Sequence, residues 1–236
     1  MNQSSPNHTA KIARAAGSMS VAVLFSRILG LIREQVLATL FGAGLAIDAF
    51  VVAYRIPNLL RDLFAEGALS TAFVTVFSNY DQRLGPERTW RLANNVLMCV
   101  SLLVGAISLA GMIFAPQLVE LMVPDFGLVP GKLELTATMT RIMFPFLLLV
   151  SLAAVVMGIL NSKGKFFIPA LSSSFYNLGS IGVGVSLALI LPGFGVSAIV
   201  GMAWGTLVGG LLQFLVQTPQ LRRVGYEPQV VCDWRD

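Results

Sequence analysis

Residues 18–41 read SMSVAVLFSRILGLIREQVLATLF, twenty-four positions in which only Arg27, Arg33 and Glu34 are charged. A hydrocarbon layer of about 30 Å needs roughly 20 helical residues at 1.5 Å each, so this stretch is long enough to cross it once. Arg27 lies about nine residues in, roughly 14 Å deep, which is too far for its head group to snorkel easily to the interface. An arginine at the centre of a spanning helix costs about 2.5–3.5 kcal/mol to insert. The segment therefore predicts a transmembrane helix whose charged side chains face water or partners. It has no short apolar core followed by small residues of the kind a signal peptidase cuts, so it reads as a retained helix.

The rest of the chain agrees in character. Of its 236 residues 56% are apolar and 12% charged, with a mean hydropathy of +0.77, where soluble domains carry about 25% charged residues. The pattern predicts an all-α, polytopic transmembrane bundle. Six spans are expected over residues 18–41, 46–80, 92–114, 135–160, 168–191 and 196–215, forming one lobe over 18–221. Residues 1–17 read as a cytoplasmic tail, and 222–236 as a second tail or the start of an interlobe linker. The 46–80 stretch is too long for one straight crossing. Pro57 removes a backbone donor and Gly67 loosens the helix, so a break is expected in that interval.

Counting basic residues on alternate sides gives an orientation. One side collects Lys11, Arg14, Arg83, Arg88, Arg91, Lys163, Lys165, Arg222, Arg223 and Arg235, and the other only Lys132. Both termini are thus expected on the cytoplasmic side, as an even number of spans requires. Five of the 16 basic residues remain inside apolar segments: Arg27, Arg33, Arg55, Arg61 and Arg141. Glu34 follows Arg27 by seven residues and so shares its helical face, and Arg55 stands in the same relation to Asp62, with Glu66 four residues beyond.

Two arrangements accommodate these charges. In one, the four arginines of the first two spans pair with Glu34, Asp48, Asp62 and Glu66, Arg55 with Asp62 among them, and only fix helix packing. In the other they line a water-filled cavity with surplus positive charge. The second is preferred, because Asp48 sits at the outer end of its span and Glu66 beyond the expected break. Guanidinium forks suit bidentate phosphate binding, so the preferred guest is a phosphate-bearing anion. Arg141, a turn or two from the end of its span, reads as peripheral.

Other features carry less. Cys99, Cys232 and His8 have no disulfide or metal-ligand spacing, and the basic residues lie between hydrophobic runs instead of forming a nucleic-acid-binding face. No nucleophile–base pair or phosphate-cradling glycine loop suggests an enzyme, and no cofactor is implied. Ser172 to Ser174 with Asn177 read as helix-packing polar groups. Gly201, Gly205 and Gly209 form a small-xxx-small series that permits close helix approach.

Ser26-Arg27-Ile-Leu-Gly30, Phe41-Gly-Ala-Gly44 with Asp48-Ala-Phe50, Pro57-Asn-Leu-Leu-Arg61 and Phe64-Ala-Glu-Gly-Ala68 together resemble the MurJ/MviN family. The likeness is densest over the first two spans and extends to Phe144-Pro145 and Ile159-Leu-Asn161. It implies a lipid II flippase of the bacterial inner membrane, within the multidrug/oligosaccharidyl-lipid/polysaccharide exporter group. Such a protein moves an undecaprenyl-diphosphate-linked peptidoglycan precursor between leaflets by alternating access. By the same resemblance Arg27, Arg33 and Arg61 would bind the diphosphate or the sugar-peptide head group, Asp48 would be an essential acid, and Ser26 and Glu34 would stand among polar cavity residues. Family members have about fourteen spans in two lobes plus two helices, so the chain is expected to correspond to the amino-terminal lobe alone. It would then work with a second lobe or by self-association. The alternatives are an exporter of another polyprenyl-linked glycan and a truncated, non-transporting membrane protein associated with cell-wall synthesis.

Overall fold

A computed structural model of the chain describes residues 6–64 and 68–227. The described residues form nine α-helices joined by short turns: α1 (Pro6–Phe41), α2 (Leu45–Phe64), α3 (Ala68–Arg83), α4 (Pro86–Ile113), α5 (Ala115–Met122), α6 (Lys132–Ser162), α7 (Phe167–Ile190), α8 (Ile199–Leu215) and α9 (Thr218–Arg223). Two 3₁₀ segments, Pro124–Leu128 and Leu191–Phe194, complete the turns before α6 and after α7. Four helical stretches, Pro86–Ile113, Lys132–Ser162, Phe167–Phe194 and Ile199–Arg223, are long and apolar enough to cross a membrane. This is an all-α integral membrane protein.

Several boundaries differ from expectation for local reasons. Helix α1 is described from Pro6 onward and so takes in part of the 1–17 segment. Helix α2 runs unbroken through the buried Pro57, and the part of the expected break that includes Glu66 and Gly67 lies outside the described residues. A proline costs a helix one hydrogen bond, which a packed neighbour can offset in a membrane protein. Pro145 is carried within α6 in the same way. Helix α4 starts earlier than expected because Pro86 occupies its first turn, where a missing N–H is no loss. The expected loop between 114 and 135 contains α5.

Helix α6 is the axis. It packs against α2, α3, α4, α5, α8 and α9, and Met139, Met143, Phe144, Phe146, Leu147, Ile159 and Leu160 on it are almost wholly buried. Helix α8 lies between α6 and α7, and α7 in turn carries α1. At the α7–α8 seam two backbones come close together. A Cβ added at Gly205 would stand 2.5 Å from the Ser180 carbonyl oxygen and 2.7 Å from Gly184 Cα, and one at Gly209 would stand 2.5 Å from the Tyr176 carbonyl oxygen. Only glycine allows backbones this close.

At the end where α3, α6 and α9 finish, Lys163 pairs with Asp81 and lies over the rings of Phe77 and Trp90, at 5.9 and 5.1 Å from their centroids. Trp90 meets Tyr226 edge to face, and the Tyr226 hydroxyl donates to Asn94 Oδ1. Burial pushes the Tyr226 phenol above its ordinary value, which keeps it a neutral donor. This cluster pins the chain after α9 to α4.

The seam predicts a specific asymmetry among glycines. Gly205→Ala is expected to lower the stability of the detergent-solubilised chain by about 1–3 kcal/mol, the usual cost of overpacking. Gly182→Ala, whose added methyl meets nothing within 4 Å, is expected to leave it unchanged or slightly raised. Thermal unfolding of the two variants beside the wild type checks this, and equal midpoints would refute the close seam.

Candidate functional site

Helix α1 presents two faces. Ala22, Ser26, Leu29 and Arg33, spaced by four, three and four residues, form the covered face, with Ala22 and Leu29 buried and Ser26 and Arg33 half-buried. Arg27 and Glu34 share the open face and are exposed. Asn177 of α7 anchors the covered face, its Nδ2 donating to the Ser26 carbonyl oxygen at 3.1 Å. Gly30 leaves room for that amide, since a Cβ there would stand 3.7 Å from Asn177 Nδ2.

One turn beyond Gly30, Arg33 enters an aromatic cage. Its Nη1 donates to the Tyr176 hydroxyl at 2.7 Å. The guanidinium carbon lies 5.2 Å from the centroid of the Tyr176 ring and 5.9 Å from that of Tyr54, within the range of cation–π attraction. Behind these rings, Phe146 of α6 contacts both, at 6.3 Å from Tyr54 and 5.5 Å from Tyr176, while Phe50 stacks on Tyr54 at 6.3 Å. Tyr176 is the tenth residue of α7, so the cage sits about 14 Å along that helix, far from either end. No salt bridge to a described carboxylate neutralises Arg33, and its buried Nε has no hydrogen-bond partner.

Helix α2 brings the second set of charges. Tyr54, Asn58 and Arg61 fall on one half-buried stripe, and Asp48, Val51, Arg55, Leu59 and Asp62 on an exposed one. The buried Asn58 Oδ1 on the half-buried stripe has no partner. Asp62 pairs with Arg61, Nη2 to Oδ1 at 3.0 Å, not with Arg55 as the shared face suggested. Seven residues rise about 10.5 Å along a helix, which adjacent side chains do not have to bridge. Arg55 and Arg27 make no hydrogen bond or ion pair among the described residues.

Asp48 stands apart from the cage at the start of α2. It accepts from Lys132 Nζ at 3.0 Å, and Lys132 lies 4.1 Å from the centroid of Phe126. This pair ties the first turn of α2 to the first turn of α6. Arg141 is peripheral, its Nε donating to the Met112 carbonyl oxygen at 3.3 Å. A cleft of about 620 Å³ between α1 and α7, walled by Ile32, Val36, Leu40, Ile181, Val185 and Leu189, contains no charged side chain and so is not an anion site. No group of three or more His, Cys, Asp or Glu side chains gathers among the described residues.

Helices long enough to span a bilayer, one of them docked through a half-buried arginine, define the class as a polytopic integral membrane protein with cationic charge lodged along its helices. The sequence profile of the family described as lipid II flippase MurJ matches residues 37–236. The chain belongs to this family. It is 35% identical over 207 residues to the probable lipid II flippase MurJ of Buchnera aphidicola subsp. Acyrthosiphon pisum, covering 88% of this chain and 40% of that protein. With the lipid II flippase MurJ of Burkholderia cenocepacia the identity is 37% over 219 residues, 92% of this chain and 41% of the relative. Among solved structures it is similar to a lipid II flippase MurJ in an inward closed conformation, with a TM-score of 0.70 and 29% identity over 91% of this chain and 43% of the other. The chain thus spans about two-fifths of the length of these relatives.

The Asp48–Lys132 pair gives a testable coupling. Asp48→Lys and Lys132→Asp are each expected to destabilise the chain, and the double exchange to recover most of the loss. Because the Asp48 side chain is 56% exposed, the coupling is expected to be about 0.5–1 kcal/mol. Thermal unfolding of the four proteins measures it, and additive losses would show that the pair is not made.

Proposed function

We propose that this chain is a lipid II flippase or its amino-terminal half, acting in the bacterial inner membrane. It carries the undecaprenyl-diphosphate-linked peptidoglycan precursor from the inner to the outer leaflet, by alternating access and without covalent chemistry. The helices form a lobe of six spans, α2 and α3 making one of them, with both ends cytoplasmic. A second lobe, or a second copy of this chain, supplies the facing wall.

One observation carries the reading: the half-buried guanidinium of Arg33, caged about 14 Å along α7, has no carboxylate partner among the described residues. Cations in apolar helices are ordinarily paired or turned to a water-filled path. Arg33 is neither discharged by a carboxylate nor placed at an interface, so an anion is the missing complement. Arg61 stands on the same half-buried stripe of α2 as Tyr54, Arg27 is exposed on the other face of α1, and a diphosphate offers enough oxygens to engage more than one guanidinium. The names of the relatives point to the same substrate. Glu34, Arg55 and Asp62 are assigned to the surrounding polar cavity and Asp48 to its rim, while Glu66 lies outside the described residues.

In a complete transporter, Arg27→Ala, Arg33→Ala and Arg61→Ala are each expected to fail to support growth of flippase-depleted cells, while Arg141→Ala supports it normally. Membrane levels of each variant must match the wild type. Normal growth on well-inserted Arg33→Ala would overturn the reading.

A further inference from the structure

The cage around Arg33 poses a question that the flippase assignment leaves open: why a buried cation is held by two tyrosines instead of a carboxylate. A carboxylate would satisfy the guanidinium fully and then compete with any anionic ligand for it. Aromatic faces attract the cation through their quadrupoles and a phenol accepts one N–H, yet neither removes the positive charge. The geometry matches that second case. Tyr176 accepts from Nη1 at 2.7 Å, both rings lie within 6 Å of the guanidinium carbon, and Nε is buried with no acceptor. Phe146 and Phe50 back the two tyrosines, so the orientation of the guanidinium is set by packed rings on three helices.

We propose that Tyr54 and Tyr176 are positioning residues that hold the Arg33 guanidinium oriented and un-neutralised for the diphosphate of the lipid substrate. The proposal rests on the function assigned above. It separates two roles that substitution of Arg33 alone would merge: Arg33 supplies the charge, and the tyrosines supply its direction. A planar fork profits from a fixed plane, whereas a lysine ammonium, with rotating donors and no flat face, does not.

The test is a double-mutant cycle on the full chain in detergent micelles, with a polyprenyl diphosphate as the probe and binding read by native mass spectrometry. Tyr176→Phe keeps the ring and removes the acceptor, and it is expected to weaken binding about tenfold. Arg33→Lys is expected to weaken it further, and adding Tyr176→Phe to Arg33→Lys is expected to cost nothing more. A purely structural role for Tyr176 would lower binding by the same factor in both backgrounds, and that result, or unchanged binding by Tyr176→Phe alone, overturns the proposal. Tyr54→Leu, which removes the second ring, is run through the same cycle and replaces Tyr176→Phe if the latter misfolds by thermal unfolding. If the wild-type chain does not bind the probe, or if Arg33→Ala binds it as the wild type does, the functional reading itself fails, and the proposal with it.

Discussion

A guanidinium lodged along an apolar helix must be held by protein, because hydrocarbon offers it nothing. Much of the architecture serves that requirement at Arg33. The cage needs α7 at a fixed height beside α1, which the Asn177 amide sets through the Ser26 carbonyl. It needs α7 pressed close to the core, which the glycines of α8 permit by letting the two backbones almost touch. It also needs Phe146 presented from α6 between the two tyrosines. The glycine seam, the buried axis of α6 and the polar clasp on α1 are therefore successive supports of one charge.

How much of this could be read beforehand depended on whether the signal was local. The Gly201, Gly205 and Gly209 series repeats every four residues, so its close approach was visible as a stripe before its partner was known. The Arg27–Glu34 relation was also visible, and both residues do lie on the open face of α1. Arg33 and Tyr176 are 143 positions apart, and no periodicity connects them. Tyr54 and Phe146 belong to no motif or spacing that singles them out, for the same reason. Asn177 was read only as packing glue, whereas it fixes the height of α1. The Arg55–Asp62 expectation failed for a different reason: a shared face is necessary for a pair, but two turns of rise separate the side chains. Hydropathy likewise missed α5 and the first turn of α4, because short amphipathic and proline-led turns do not raise a window average.

The distribution of paired and unpaired charge is itself ordered along the bundle. At one end Asp48 meets Lys132, and at the other Asp81 meets Lys163, in both cases with an aromatic ring beneath the ammonium. Ion pairs at exposed ends cost little to desolvate and contribute modestly, so they suit the task of fixing where helices begin and finish. A carboxylate beside Arg33 would be far harder to separate, since two charges in a low-dielectric interior hold each other tightly once paired. On the proposed function, such a partner at Arg33 would make release of the guanidinium a step of every cycle. Tyrosine faces avoid that step: they keep the cation in place and leave its charge open to an anion, whereas the Arg61–Asp62 pair, with its carboxylate exposed, is screened by water and opens at little cost. Carboxylates where a pair is solvated and tyrosines around the half-buried Arg33 thus answer two different demands, permanence where helices are tied and, on the proposed function, availability where an anion binds.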